Sequence, residues 1–400
     1  MKFRMHWVVT VVAAAALAAC GGGGADTTPR ARIASVKVMG DSLADSGTFG
    51  FKFTVQGNDT NGQPFMVWPE RIAAQYGLTL CAHYRSADGG ATFTQDSNCT
   101  NYAIGGSVVA LSDSPMSMLK QIADAAPTIG ASDLVLIDGG SNDLANVIGN
   151  LLTLQGTQAA ITAAVANTVT QAVAAGQLPA DQAQATISAQ VTAQMAAGGY
   201  VAQYLGAYMT AVDAAQGAGA SASLLATGGA GQVVGTYLAI QGTALAQAVN
   251  GLAAKGARVA VLNVPALTET PKVKNQLSSM SAEDAATAAA MIDALVNAFN
   301  AALAANLQAQ VAQVDFYSAF KDQVENPAQY SLINVTDGAC LLLNPAFIGS
   351  GLSQCTATAL DASIPNWRSY GFSDDQHPTP YGHQLMSQLV ARSLERMGWL

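Results

Sequence analysis

Ser35-Val36-Lys37-Val38-Met39 runs without a break into Gly40-Asp41-Ser42. The first five residues read as a short strand, and the next three as the loop that leaves its carboxyl end. The same punctuation recurs at Asp133-Leu134-Val135-Leu136-Ile137-Asp138, an unbroken apolar run stopped by Gly139-Gly140. A run with no polar alternation marks a strand buried on both faces, as in a parallel sheet. Arg258-Val259-Ala260-Val261-Leu262-Asn263-Val264-Pro265 is another such run, and Val314-Asp315-Phe316 reads as the last strand. Helical patterns lie between them. Trp68 to Gly77 has Pro69 in its first turn and Gly77 at its stop. A helix of about 25 residues follows Ser281, where Glu283 and Asp284 suit the positive end of its dipole, and a last helix begins near Thr379. Strands alternating with helices predict an α/β fold with a parallel sheet covered on both faces.

The segment from about 150 to 250 breaks the alternation. It is rich in Ala, Gln, Thr and Gly, and Asp181 and Asp213 are its only charged residues. Ile161, Val165, Val169 and Val173 recur every four residues, as do Ile187, Val191 and Met195, while Val201, Tyr204, Leu205, Tyr208 and Val212 form a third stripe. This spacing predicts an all-helical insertion. It either packs as an Ala-rich cap or forms a weakly charged lid over the entrance to a site.

Composition narrows the function. The chain has 400 residues, 50% hydrophobic and 11% charged, with a net charge of −9. High hydrophobicity excludes disorder, and the acidic balance offers no broad basic face for nucleic acid. At the N-terminus, Lys2, Arg4 and His6 precede an apolar stretch from Trp7 to Ala19, which reads as an export signal over residues 1–19. The junction Leu17-Ala18-Ala19-Cys20 resembles a bacterial lipobox, with Cys20 the residue acylated. The following glycines make residues 20–32 a flexible tether to a membrane. These features place the mature chain outside the cytoplasm, lipid-anchored in the bacterial outer membrane or at the cell surface. Without the anchor it would be periplasmic or secreted.

Cys81, Cys99, Cys340 and Cys355 remain, and four cysteines allow three pairings. No pair has the Cys-x-x-Cys spacing that zinc or dithiol chemistry favours, so neither a metal nor a cofactor is expected. The local pairing, Cys81–Cys99 and Cys340–Cys355, would staple two loops, each worth roughly 3 kcal/mol.

Acyl transfer needs a nucleophile, a base, a group to orient the base, and donors for the oxyanion. Ser42 lies at the carboxyl edge of the first strand, where open α/β sheets bind ligands. His377 follows Asp374 by three residues, a spacing that lets the carboxylate reach Nδ1 and leaves Nε2 free to take a proton. Alone, Ser42 would pass for a helix cap. His83 reads as a loop surface residue, and His383 as a packing or capping residue of the last helix. No Gly-x-Ser-x-Gly elbow occurs.

Together the blocks resemble the GDSL, or SGNH, hydrolase family. Gly40-Asp41-Ser42-Leu43 looks like its first block, Asn101-Tyr102-Ala103-Ile104-Gly105-Gly106 its second, Gly140-Ser141-Asn142-Asp143 its third, and Asp374-x-x-His377 its last. The resemblance implies a flavodoxin-like sheet in one domain over residues 33–400, interrupted by the helical insertion. It implies nucleophile Ser42, base His377 and orienter Asp374. The oxyanion would rest on the backbone N–H groups of Ser42 and Gly106 and on the Asn142 amide, with Gly105 the competing register. Asp41 and Asp45 would brace the nucleophile loop. The activity implied is carboxylic ester hydrolysis, and the weakly charged lid suits a lipophilic ester. Removal of acetyl groups from polysaccharide is one alternative, and a non-catalytic, lipid-binding envelope lipoprotein is another.

Overall fold

The computed structural model describes residues 32–400. The expected export signal, Cys20 and the tether as far as residue 31 lie outside the described residues. Strand β1 (Ser35–Met39) is followed by helix α1 (Trp68–Gln75), a small hairpin β2 (Tyr84–Arg85) and β3 (Thr94–Gln95), and helix α2 (Met118–Ala125). Strand β4 (Asp133–Ile137) leads into four successive helices, α3 (Ser141–Ala174), α4 (Ala183–Ala197), α5 (Tyr200–Gln216) and α6 (Ala220–Ala253). Then come β5 (Arg258–Leu262), α7 (Pro271–Ser278), α8 (Ala282–Asn306), β6 (Ala312–Val314) and α9 (Phe316–Glu325). The chain ends with β7 (Asn334–Gly338), α10 (Ala339–Leu343), α11 (Ala357–Ser363), β8 (Tyr370–Phe372) and α12 (Pro380–Arg396).

The main sheet has the order β1-β4-β5-β6, every pair parallel. A single parallel bridge between Val38 and Asn101 extends it beyond β1. With that stretch included, the order is the flavodoxin-like one, in which the chain steps to one side of the first strand and then crosses to the other. The apolar run of β4 splits by parity, as a pleated strand must. Leu134 and Leu136 join Trp68 and Ile72 of α1 and Leu385, Val390 and Leu394 of α12 on one face. On the other, Val135 and Ile137 meet Leu144 and Val147 of α3, Leu245 of α6 and Phe299 of α8. Helix α8 is long and apolar enough to cross a membrane, yet Ile292, Leu295, Val296, Phe299 and Leu303 bury one side of it in this core. The strand expected at 314–316 stops at Val314, because the Asp315 side chain accepts from Ser318 N and caps α9.

The insertion is all helical, and its two ends are rooted in the sheet. Leu205 and Tyr208 of α5 and Val234 and Leu238 of α6 join the main core. The backbone of α6 breaks at Gly229 (φ 69°, ψ −169°). The outer half of α3 and helix α4 meet in a satellite cluster around Val165, Val169 and Val191, with Ile161, Val173 and Ile187 packed against it. Their threonines return hydroxyl protons to the carbonyl four residues back, as at Thr162, Thr168, Thr170, Thr186 and Thr192. Polarity on this arm is therefore satisfied within each helix rather than by charge. Two disulfides join Cys81 to Cys99 and Cys340 to Cys355.

His83 departs from its reading as a surface residue. It is buried, stacked on Tyr102 with 4.1 Å between ring centroids, and its Nδ1 lies 3.2 Å from the Cys99 carbonyl. The Cys81–Cys99 bridge on either side of it draws this loop onto the sheet edge. His383 is fully buried in α12.

Candidate active site

Ser42 sits where β1 ends and the chain makes a tight turn, in which Ala44 N and Asp45 N both donate to the Asp41 carbonyl. The turn is possible only because residue 40 has no side chain. A Cβ on Gly40 would lie 1.9 Å from Asp138 Oδ1. That same Oδ1 accepts from Asp41 N at 3.2 Å, and Asp138 Oδ2 accepts from Trp68 Nε1 at 3.0 Å. Asp41 Oδ1 accepts from Leu43 N, so one buried carboxylate lies on each side of the Ser42 turn. Asp45 ties the turn to the next block by accepting from Gly47 N, Thr48 N and Gly105 N. From the other side, Asn101 Nδ2 donates to the Ala44 carbonyl at 2.7 Å.

The last block enters from the opposite end of the chain. Ser373 N donates to the His377 carbonyl at 2.7 Å and closes a loop that holds Asp374 and His377 face to face. His377 Nδ1 lies 2.8 Å from Asp374 Oδ2, and His377 Nε2 lies 3.0 Å from Ser42 Oγ. Ser42 is 8% exposed, His377 4% and Asp374 0%, so this line of contacts is shielded from water. Asp374 Oδ1 accepts from Gln376 N and His377 N, while Oδ2 also accepts from Gly349 N at 2.9 Å. Gly349 lies in the loop stapled by Cys340–Cys355, and Cys340 N donates to the Ser373 carbonyl. Gly338 presses against this loop; a Cβ there would stand 2.3 Å from the Asp374 carbonyl oxygen. Phe53 covers the imidazole, with centroids 5.2 Å apart.

Charge is arranged unevenly. Burial would raise the Asp374 carboxyl, but the His377 charge and hydrogen bond and two backbone N–H groups prevail and hold it at about 2. Burial would lower His377; Asp374, with help from Asp41 and Asp375, outweighs it and raises the ring above its ordinary value. The acids around Ser42 go the other way. Burial raises Asp41 and lifts Asp138 well above the usual carboxylate range, pushes Asp45 up to about 6 and Asp143 to about 7.

The structure therefore brings Ser42, His377 and Asp374 into one hydrogen-bonded chain, and Ser42, Asn142 and His377 line one cleft of about 310 Å³. Asn142 opens α3 and spends one N–H on the Ser107 carbonyl, at 3.0 Å. The N–H of Gly105 is committed to Asp45, whereas Gly106 stands exposed at the turn. Sequence reasoning missed Phe53, Trp68, Gln121, Asp138 and Gly349, because nothing local marks residues that act across a fold.

The family model for GDSL-like Lipase/Acylhydrolase matches residues 36–192 and 238–390. The unmatched stretch between them, 193–237, takes in all of α5 within the helical insertion. No curated protein matches the chain. A match over most of the sequence, on a parallel sheet whose first strand leads into the Ser42 turn, shows that the chain belongs to the GDSL-like lipase/acylhydrolase family.

Proposed function

We propose that this chain hydrolyses carboxylic esters through an acyl-enzyme on Ser42. The observation that carries the reading is the run of contacts from Ser42 Oγ to His377 Nε2, 3.0 Å, and from His377 Nδ1 to Asp374 Oδ2, 2.8 Å. Ser42 Oγ attacks the ester carbonyl carbon and gives its proton to His377 Nε2. Asp374 keeps the ring in the tautomer with a proton on Nδ1 and stabilises the imidazolium that forms. The oxyanion is met by the N–H groups of Ser42 and Gly106 and by the second N–H of Asn142. Collapse breaks the ester C–O bond, and the leaving alkoxide takes the proton from His377. Water then attacks the acyl-enzyme, His377 takes its proton, and the acid leaves as Ser42 is reprotonated.

The cleft walls favour a lipophilic acyl or alkyl group. Ala145 and Ile148 of α3, Pro265, Leu267, Val273 and Phe316 line it. Lys272, the one Lys or Arg lining it among the described residues, donates from Nζ to Gln376 Oε1 at 3.1 Å. An acetyl group would leave most of this apolar wall unfilled. The test is hydrolysis of p-nitrophenyl acetate, butyrate and palmitate by the mature protein beside Ser42→Ala. Turnover that rises with chain length and disappears in the variant supports the reading. Preference for acetate would move the substrate to acetylated polysaccharide, and absence of turnover by a folded protein would leave a lipid-binding lipoprotein.

Export and a lipid anchor on Cys20 belong to the same proposal, and the support for them is the N-terminal sequence alone. Palmitate labelling that is lost on Cys20→Ala would establish the anchor, and labelling that persists would overturn it.

A further inference from the structure

Gln121 has no place in any of the four sequence blocks. It projects from α2, is 0% exposed, and meets four backbone or side-chain atoms with one amide. Its Oε1 accepts from Gly40 N at 2.8 Å, and its Nε2 lies 3.2 Å from the Gly40 carbonyl. Both hydrogen-bonding groups of Gly40, two residues before Ser42, are thus gripped by a single planar group. The same Nε2 reaches Ser107 Oγ at 2.9 Å and the Pro115 carbonyl at 3.1 Å. Ser107 directly follows Gly106, is itself fully buried, and uses its carbonyl to hold Asn142 Nδ2 at 3.0 Å. One chain of contacts therefore runs Gly40–Gln121–Ser107–Asn142. It touches the segment of every group assigned to the oxyanion pocket: the Ser42 turn, the Gly106 loop and the Asn142 helix start.

We propose that Gln121 is a positioning residue that sets the spacing of the three oxyanion donors relative to one another. The proposal rests on the reading of Ser42 as nucleophile. Donors aimed at developing charge contribute only when their geometry is fixed beforehand, and a misplacement of about 1 Å can cost about a hundredfold in rate. A group that fixes donors in this way affects the transition state and leaves ground-state binding in the apolar cleft nearly untouched.

The test uses the mature protein and the variants Gln121→Met, which keeps the shape and removes every polar contact, and Gln121→Glu, which keeps the acceptor toward Gly40 N and loses the donors. Three quantities are read: kcat and KM on a p-nitrophenyl ester, the inhibition constant of an alkyl trifluoromethyl ketone, which becomes a tetrahedral oxyanion on Ser42, and the urea midpoint. The expected result is a fall in kcat of roughly 10- to 100-fold with KM within about twofold. Ketone affinity should weaken by the same factor as kcat/KM. Unchanged kcat, or a loss in kcat with ketone affinity retained, would overturn the proposal. Should Gln121→Met fail to fold, Ser107→Ala removes one link only. It should lower kcat and ketone affinity in parallel and be non-additive with Gln121→Glu, and additivity would count against the chain of contacts. Turnover surviving in Ser42→Ala would sink the nucleophile assignment itself, a failure distinct from any result at Gln121.

Discussion

The two halves of the site are held by opposite electrostatic means. Around Ser42, burial raises the carboxyl pKa of Asp41, Asp45 and Asp138, and each acid spends its oxygens on backbone N–H groups or on Trp68. Against the His377 ring, Asp374 is held down at about 2, and the loop is braced by backbone hydrogen bonds and a disulfide-stapled neighbour. Linkage gives Asp374 and the raised acids opposite responses to pH. Asp374 contributes stability that is present above its unfolded value and lost as pH falls toward about 2. The raised acids contribute stability that is present at low pH and lost as pH rises through their folded values. The Ser42 side is therefore built from groups that tolerate a proton, while Asp374 on the His377 side is held ionised.

The sharpest way to break the contrast is Asp374→Asn. An amide cannot stabilise the imidazolium and favours the wrong tautomer, so kcat should fall about 10⁴-fold. In the unaltered protein, the acid limb of kcat/KM should lie above the ordinary His value of about 6.5, because His377 must lose its proton to act as base and its pKa is raised. In the variant any residual limb should move to lower pH. A flat profile from about pH 5 to 9 in the unaltered protein would count against His377 as base.

A smaller effect separates the two disulfides. Removing either costs about 2–5 kcal/mol of stability. Only Cys340–Cys355 closes the loop whose Gly349 N–H reaches Asp374. Cys340→Ser with Cys355→Ser should lower kcat roughly tenfold at a temperature where the protein remains folded. Cys81→Ser with Cys99→Ser should lower the melting temperature and leave kcat near its starting value. Equal effects on kcat would remove the distinction.

The smallest change tests the acids near α3. Asp143 is pushed to about 7, and its buried Oδ1 has no partner among the described residues. Between its unfolded value and about 7 the folded state holds the extra proton, so stability declines as pH rises across that window. Asp143→Asn keeps an acceptor for Val109 N and cannot ionise. Its urea midpoint should fall less between pH 5 and pH 8 than that of the unaltered chain, and parallel declines would show that Asp143 does not carry the slope.

Much of this was legible in the chain itself, for identifiable reasons. The apolar run at Asp133–Ile137 could be read because burial on both faces leaves no polar position. The start of α8 at Ser281 could be read because its hydroxyl accepts from Asp284 N, a local contact with a local signature. Ser42, Asn142, Asp374 and His377 were legible because each is fixed to a short motif. Gln121 and Phe53 were not, since a glutamine in a helix and a phenylalanine in a loop carry no mark of the partners that the fold gives them from far away in sequence. His83 was misread for the same reason: its ring is buried by Tyr84 and Tyr102, and only the second belongs to a recognisable block.

Helix α3 starts at the cleft, with Ser141 and Asn142 in its first turn, and its 34 residues end in an arm packed around Val165, Val169 and Val191. Its first turns share the cooperative unfolding of the main core, while its last turns can open by breaking the satellite cluster alone. Amide hydrogens along this one helix should therefore exchange with solvent on a gradient, slow at Leu144 to Leu151 and fast past Val169. A protease should nick the arm while the cleft at the helix's other end stays closed and competent.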